Sequence, residues 1–138
     1  ISRSIYGNFC HVRIFGAVAC SLWCLFLLLP VDMNGDGKLT QLPVTLKGTP
    51  LRNLNELEWV NEEIWANVWQ TDEIARIDPS TGEVIGLINL AGLLPEEDRL
   101  RDTGVLNGIA IDPVTGSTWV TGKRWPWLFE ITLENESD

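Results

Sequence analysis

The sequence predicts an all-β chain, a partial β-propeller of about two blades preceded by an apolar helix. Three observations carry this expectation. Short apolar runs alternating with polar residues recur from residue 42 onward, separated by Gly, Pro, Asn and Asp turns. The chain repeats itself at 52 to 54 residues: Leu54-Asn55 returns as Leu106-Asn107, Trp65 as Trp119 and Ile77 as Ile131. Finally, the turn Asp78-Pro79-Ser80-Thr81-Gly82 is nearly copied as Asp112-Pro113-Val114-Thr115-Gly116. In both turns Pro fixes φ at the entry and Gly accepts a positive φ at the exit. A period of this size with about four strand candidates per unit is that of propeller blades, small sheets that bury their faces against one another.

From the N terminus, composition changes near residue 31. Residues 1–31 hold two arginines, Arg3 and Arg13, and no acid; the remainder holds eight basic and all nineteen acidic residues, +2 against −11. The uncharged run Ile14 to Leu29 follows Arg13 and ends at Pro30, the layout of a secretory signal. Its sixteen residues fall just short of a comfortable membrane span. Residues 1–31 therefore read as a signal peptide or an uncleaved membrane anchor, with the remainder secreted, periplasmic or tethered outside the cytoplasm. The start at Ile1 rather than Met and the break in composition predict a piece of a longer protein.

Residues 32–43 read as a polar linker. Asp32-Met33-Asn34-Gly35-Asp36-Gly37 matches the opening of a calcium loop, but position twelve, where a bidentate Glu belongs, is Pro43. The linker reading outweighs weak calcium binding. Strand candidates then follow at 44–46, 57–60, 63–70, 74–77, 84–88, 109–111, 117–122 and 128–131, and residues 134–138 form an acidic tail. Between them, residues 93–102 carry a Pro and clustered charges, which predict a surface loop or one helical turn. Two blades cannot close a ring and would expose a sheet of Trp, Ile and Leu. The remaining blades are expected to lie upstream, to be supplied by another chain, or to be missing.

Several function classes are excluded or disfavoured. Cys10, Cys20, Cys24 and His11 all precede the acidic part, so a cysteine nucleophile, a disulfide, a Ser-His-Asp triad or a histidine metal cluster has no residues there. The acidic balance disfavours nucleic acid as a partner. What remains is an aromatic face. Alternation over residues 63–70 sets Ile64, Ala66 and Val68 on one side and Trp65, Asn67 and Trp69 on the other. The repeat places Lys123 at the position equivalent to Trp69. Packing between blades is the stronger reading of this face from the pattern alone, and a small polar substrate pocket the weaker.

The ordered motifs Asn53-Leu54-Asn55-Glu56-Leu57-Glu58-Trp59, Ile64-Trp65-Ala66-Asn67-Val68-Trp69-Gln70-Thr71-Asp72, Ile77-Asp78-Pro79, Leu106-Asn107-Gly108-Ile109-Ala110 and Thr121-Gly122-Lys123-Arg124-Trp125-Pro126 closely resemble the glutamine cyclotransferase family of plants and bacteria. The resemblance runs over residues 44–133. It implies a five-bladed propeller, monomeric when complete. It also implies an aminoacyltransferase, a glutaminyl-peptide cyclotransferase, that turns a peptide's N-terminal glutamine into pyroglutamate with release of ammonia, without a metal or other cofactor. Carried over by position, Asn55, Trp69 and, more weakly, Asn107 bind substrate, and Lys123 is the catalytic candidate, stabilising an oxyanion. The family's general acid/base glutamate comes from an earlier blade, so the 138-residue chain is expected to show low or no activity alone. Locally, an ideal strand turns Glu56 and Glu58 away from Asn55, and Glu58 is expected to pair with a surface base. The alternatives are a non-catalytic propeller used for binding and a calcium-linked, membrane-tethered module.

Overall fold

The computed structural model describes residues 28–31 and 40–133. Cys10, His11, Cys20, Cys24, the apolar run up to residue 27, the calcium-like segment 32–39 and the tail 134–138 lie outside the described residues. The end of the apolar run is strand: β1 (Leu28–Val31) pairs antiparallel with β2 (Thr40–Pro43). Strand structure thus starts ahead of Val44, with β1 before the segment read as a linker and β2 taking in its C-terminal end. Pro43 closes a strand where a calcium loop would lead into a helix. A small hairpin follows, β3 (Thr45–Leu46) and β4 (Thr49–Pro50), turned by Lys47 and Gly48 at φ 50° and 76°.

The main body consists of two antiparallel sheets. The first contains β5 (Leu54–Val60), β6 (Glu63–Val68), β7 (Glu73–Ile77) and β8 (Val84–Asn89) in chain order. The second contains β9 (Leu106–Ile111), β10 (Thr118–Gly122) and β11 (Phe129–Ile131), also in chain order. Neither sheet closes on itself. Between β8 and β9 the charged segment forms a single 3-10 turn, Glu96–Asp98, as its Pro and acids predict.

Sequence repeat and structural repeat coincide. Leu54 pairs with Val68 and Leu106 with Gly122; Ile64 pairs with Ile77 and Thr118 with Ile131. Both sheets also carry the same irregularity. On β5 the register steps from Asn55↔Asn67 to Leu57↔Ala66, and on β9 from Leu106↔Gly122 to Ile109↔Val120. Each first strand therefore holds one residue more than its partner, a β-bulge, at Asn55-Glu56 and at Asn107-Gly108.

Each face of β6 belongs to a different core. Ile64, Ala66 and Val68 join Val44, Leu54, Ala75, Ile77 and Val84, with Leu57 packed against them. Trp65 joins Val60, Ile74 and Ile88 from the first sheet and Leu106, Ile109 and Val120 from the second. Because each fully buried Ile or Leu contributes about 1.5–3 kcal/mol, this second cluster is what holds the sheets together. On the same side, Glu63 accepts from Arg76 Nε and Nη2 at 2.8 and 2.6 Å and from Trp65 Nε1 at 2.9 Å, and the Arg76 hydrogen bonds hold its carboxyl below the usual range.

The two copied turns close alike. Gly82 N–H donates to the Asp78 carbonyl and Gly116 N–H to the Asp112 carbonyl, both at 2.8 Å, with φ at 76° and 75°. Their surroundings differ. A Cβ at Gly82 would stand 2.1 Å from the Pro43 carbonyl oxygen, whereas one at Gly116 would meet open space. Gly116→Ala is therefore expected to lose about 1–2 kcal/mol for its left-handed backbone. Gly82→Ala, strained in the same way and blocked by β2 as well, should lose clearly more. Urea unfolding of the two variants side by side checks the ordering, and equal losses would remove the role assigned to Pro43.

Candidate active site

Four candidate residues emerge at one end of the two sheets, where β5 and β9 begin and β6 and β10 finish. Asn55 and Asn107 sit in the two bulges, half-buried, and Asn55 Nδ2 donates to Asn107 Oδ1 across 52 residues of sequence. Trp69 lies one residue past β6, held by its backbone N–H to the Asn53 carbonyl at 2.8 Å, and the residue is 42% exposed. The following turn is fixed by Thr71, whose hydroxyl donates to the Val68 carbonyl at 2.7 Å and accepts from Glu73 N–H at 3.1 Å. Lys123 lies one residue past β10. Its backbone pairs with Val105 and Gly104 at 2.9 and 2.8 Å while its side chain is exposed. The asparagines are thus in direct contact. Trp69 and Lys123 share the end of the molecule with them without a hydrogen bond to either.

Beneath the asparagine pair lies Asn67, opposite Asn55 in the ladder and fully buried. Its Oδ1 accepts the backbone N–H of Gly108 at 3.0 Å, and its Nδ2 has no acceptor among the described residues. Sequence reasoning placed Asn67 on the correct face but gave it no role. The cue was available in its position between Trp65 and Trp69 on an otherwise aromatic side.

The bulge overturns the expected direction of Glu58. With Asn55 opposite Asn67 and Glu58 opposite Trp65, two residues of one face of β6, Glu58 returns to the side of Asn55. Glu56 is the inserted residue. The expected surface base is also missing, since Glu58 forms no ion pair among the described residues. Burial raises the pKa of the half-buried Glu56, and burial followed by the charge of Glu56 raises that of Glu58. Two carboxyls with raised pKa values thus follow Asn55 on β5, a pattern suited to proton transfer.

A cavity of about 330 Å³ opens between the sheets at the same end. Gln70, Thr71 and Asp72, immediately after Trp69, form one wall; Thr103 with Gly104 and Val105, the last two paired with Lys123, form another. Arg99, Leu106 and Trp125 complete it. Trp125 lies across Gly122, where a Cβ would stand 2.2 Å from the ring, and donates from Nε1 to the Gly104 carbonyl at 2.8 Å. No group of three or more His, Cys, Asp or Glu among the described residues is arranged to hold a metal ion.

The two raised carboxyls set a pH dependence. A carboxyl whose folded pKa exceeds its unfolded value keeps a proton in the folded state that the unfolded state has released. Its stabilising effect is therefore full below the ordinary value of 4.5 and declines as pH rises through the interval above it. The double variant Glu56→Gln, Glu58→Gln should gain stability over the parent at pH 7 and lose that advantage at pH 4. Urea midpoints at both pH values test this; a constant difference would mean that neither carboxyl is desolvated.

Comparison with known proteins places the chain. The profile of the family described as glutamine cyclotransferase matches residues 25–133, starting ahead of the motifs at Val44 and within the apolar run. The chain is 49% identical over 98 residues to the glutaminyl-peptide cyclotransferase of Arabidopsis thaliana, a stretch that is 68% of this chain and 30% of that protein. The crystal structure of Myxococcus xanthus glutaminyl cyclase is similar with a TM-score of 0.64 and 37% identity, over 75% of this chain and 46% of that one. The chain spans less than half of either relative. On the profile match and the identity together, the chain belongs to the glutamine cyclotransferase family.

Proposed function

We propose that the two sheets are adjacent blades of a five-bladed propeller whose complete form cyclises the N-terminal glutamine of peptides to pyroglutamate and releases ammonia. The observation that carries this reading is the meeting of Asn55 and Asn107, from two distant copies of one motif, at matching bulges where Trp69 and Lys123 also emerge. The names of the plant and bacterial relatives support the same reaction.

The substrate's α-nitrogen attacks its own γ-carboxamide carbon. A C–N bond forms, the carbonyl oxygen becomes an oxyanion, and the tetrahedral intermediate expels the amide nitrogen as ammonia once that nitrogen has gained a proton. In this reading the amides of Asn55 and Asn107 hold the carboxamide, the face of Trp69 packs the side-chain methylenes, and the Lys123 ammonium stabilises the oxyanion. The amine, with a pKa of about 8, must give up a proton before attack and the leaving nitrogen must receive one. A carboxyl with a raised pKa suits both transfers. The family resemblance assigns it to an earlier blade, and Glu58 and Glu56 are the local candidates with raised pKa values. The chemistry draws on no metal.

The cavity beside Trp69 and Lys123 suits the residue that follows the cyclising glutamine. Thr103→Trp, which fills it, should raise KM severalfold for Gln-initiated tripeptides while leaving glutamine amide nearly unchanged. An equal effect on both substrates would detach the cavity from peptide binding.

Ammonia release from a Gln-initiated dipeptide tests the main reading, assayed with the 138-residue chain and with a version extended to the length of its relatives. Activity is expected in the extended form and little or none in the short one. Lys123→Ala in the extended form should lower kcat/KM roughly tenfold or more. No ammonia from either form would leave a non-catalytic binding propeller.

A further inference from the structure

Among the described residues, Asn67 supplies the one side-chain hydrogen bond that joins β6 to the bulge of β9, through Gly108 N–H at 3.0 Å. Gly108 follows Asn107, and Asn107 accepts from Asn55, which lies opposite Asn67 in the β5–β6 ladder. Asn67, Gly108, Asn107 and Asn55 thus form a closed circuit that crosses from one sheet to the other and back. The equivalent position in the second sheet is Thr121, whose hydroxyl donates to the Trp127 carbonyl at 2.8 Å and closes only its own loop. A carboxamide at this point is therefore not a requirement of the repeat.

Stability does not account for it either. One net hydrogen bond contributes little, and a buried donor left unmet costs as much or more. Asn67 makes the first through Oδ1 and leaves the second at Nδ2, in a residue with no solvent exposure. What the carboxamide achieves is placement. It fixes the β9 bulge against β6 at the distance where Asn107 and Asn55 meet.

We propose that Asn67 is a positioning residue for substrate binding, acting through Asn107 and Asn55 by holding the two bulges in register. This rests on the cyclisation reading. Fully enclosed, Asn67 itself touches no substrate.

The test uses the protein extended to the length of its relatives, with Asn67→Leu and Asn67→Asp made in the parent and in an Asn107→Ala background. Asn67→Leu removes the acceptor and keeps the volume; Asn67→Asp keeps the shape and the oxygen that Gly108 N–H needs, and serves if the leucine variant fails to fold. Asn67→Leu should lower kcat/KM about tenfold, mainly through KM, and Asn67→Asp should lose clearly less. In the Asn107→Ala background Asn67→Leu should add less than about twofold, because the residue it acts through is gone. Unchanged KM, or a full tenfold loss on top of Asn107→Ala, overturns the inference while leaving the cyclisation reading in place. Absence of ammonia release from the unmodified extended protein overturns that reading, and this inference with it.

Discussion

Two sheets of a repeating protein must meet in one register, and here that register is set where β5 approaches β9. The apolar cluster around Trp65, Ile74, Leu106 and Val120 supplies most of the attraction, but hydrophobic contact has no direction and tolerates sliding. The bonds from Asn55 to Asn107 and from Gly108 to Asn67 are directional. Each lies at a bulge, where an inserted residue turns the strand and frees a backbone N–H from its ladder. Removing the bulges would leave the sheets with a greasy interface and no fixed offset, and the residues at the ends of β6 and β10 would lose their common frame.

The bulges also explain how a face rich in apolar groups can carry carboxyls. An unbroken β5 would send Glu56 and Glu58 to one side and Asn55 and Leu57 to the other. With one residue inserted, Leu57 joins Leu54 in the first core and Glu58 comes round to Asn55. A single backbone irregularity therefore serves packing on one face and polar chemistry on the other.

Much of this was legible in the sequence. The strands, the repeat of 52 to 54 residues, the paired Asp-Pro turns and the two faces of β6 follow from periodicity and turn chemistry, and the structure reproduces them. The bulges were not legible, because alternation is a two-residue rule and an insertion merely shifts its phase; Leu54 and Leu57 pack on the same core, but that three-residue spacing signals a bulge only once the partner strand is known. The role of Asn67 was hidden for the same reason, since its partner Gly108 is 41 residues away. Nor did composition reveal that Leu28–Val31, the end of a run that reads as a leader, pairs as a strand with Thr40–Pro43.

Trp125 is gripped on several sides. Its ring lies on Gly122, its Nε1 is bonded to Gly104, and its edge meets Phe129 at 6.1 Å between centroids and 86° between planes. An indole fixed in this way cannot average its orientation, so its transition dipoles keep one angle to those of the neighbouring phenyl ring. Such a pair gives a signed band in the near-ultraviolet circular dichroism spectrum. Because the same ring walls the cavity, the molecule carries its own optical reporter of whatever enters there, with no dye attached.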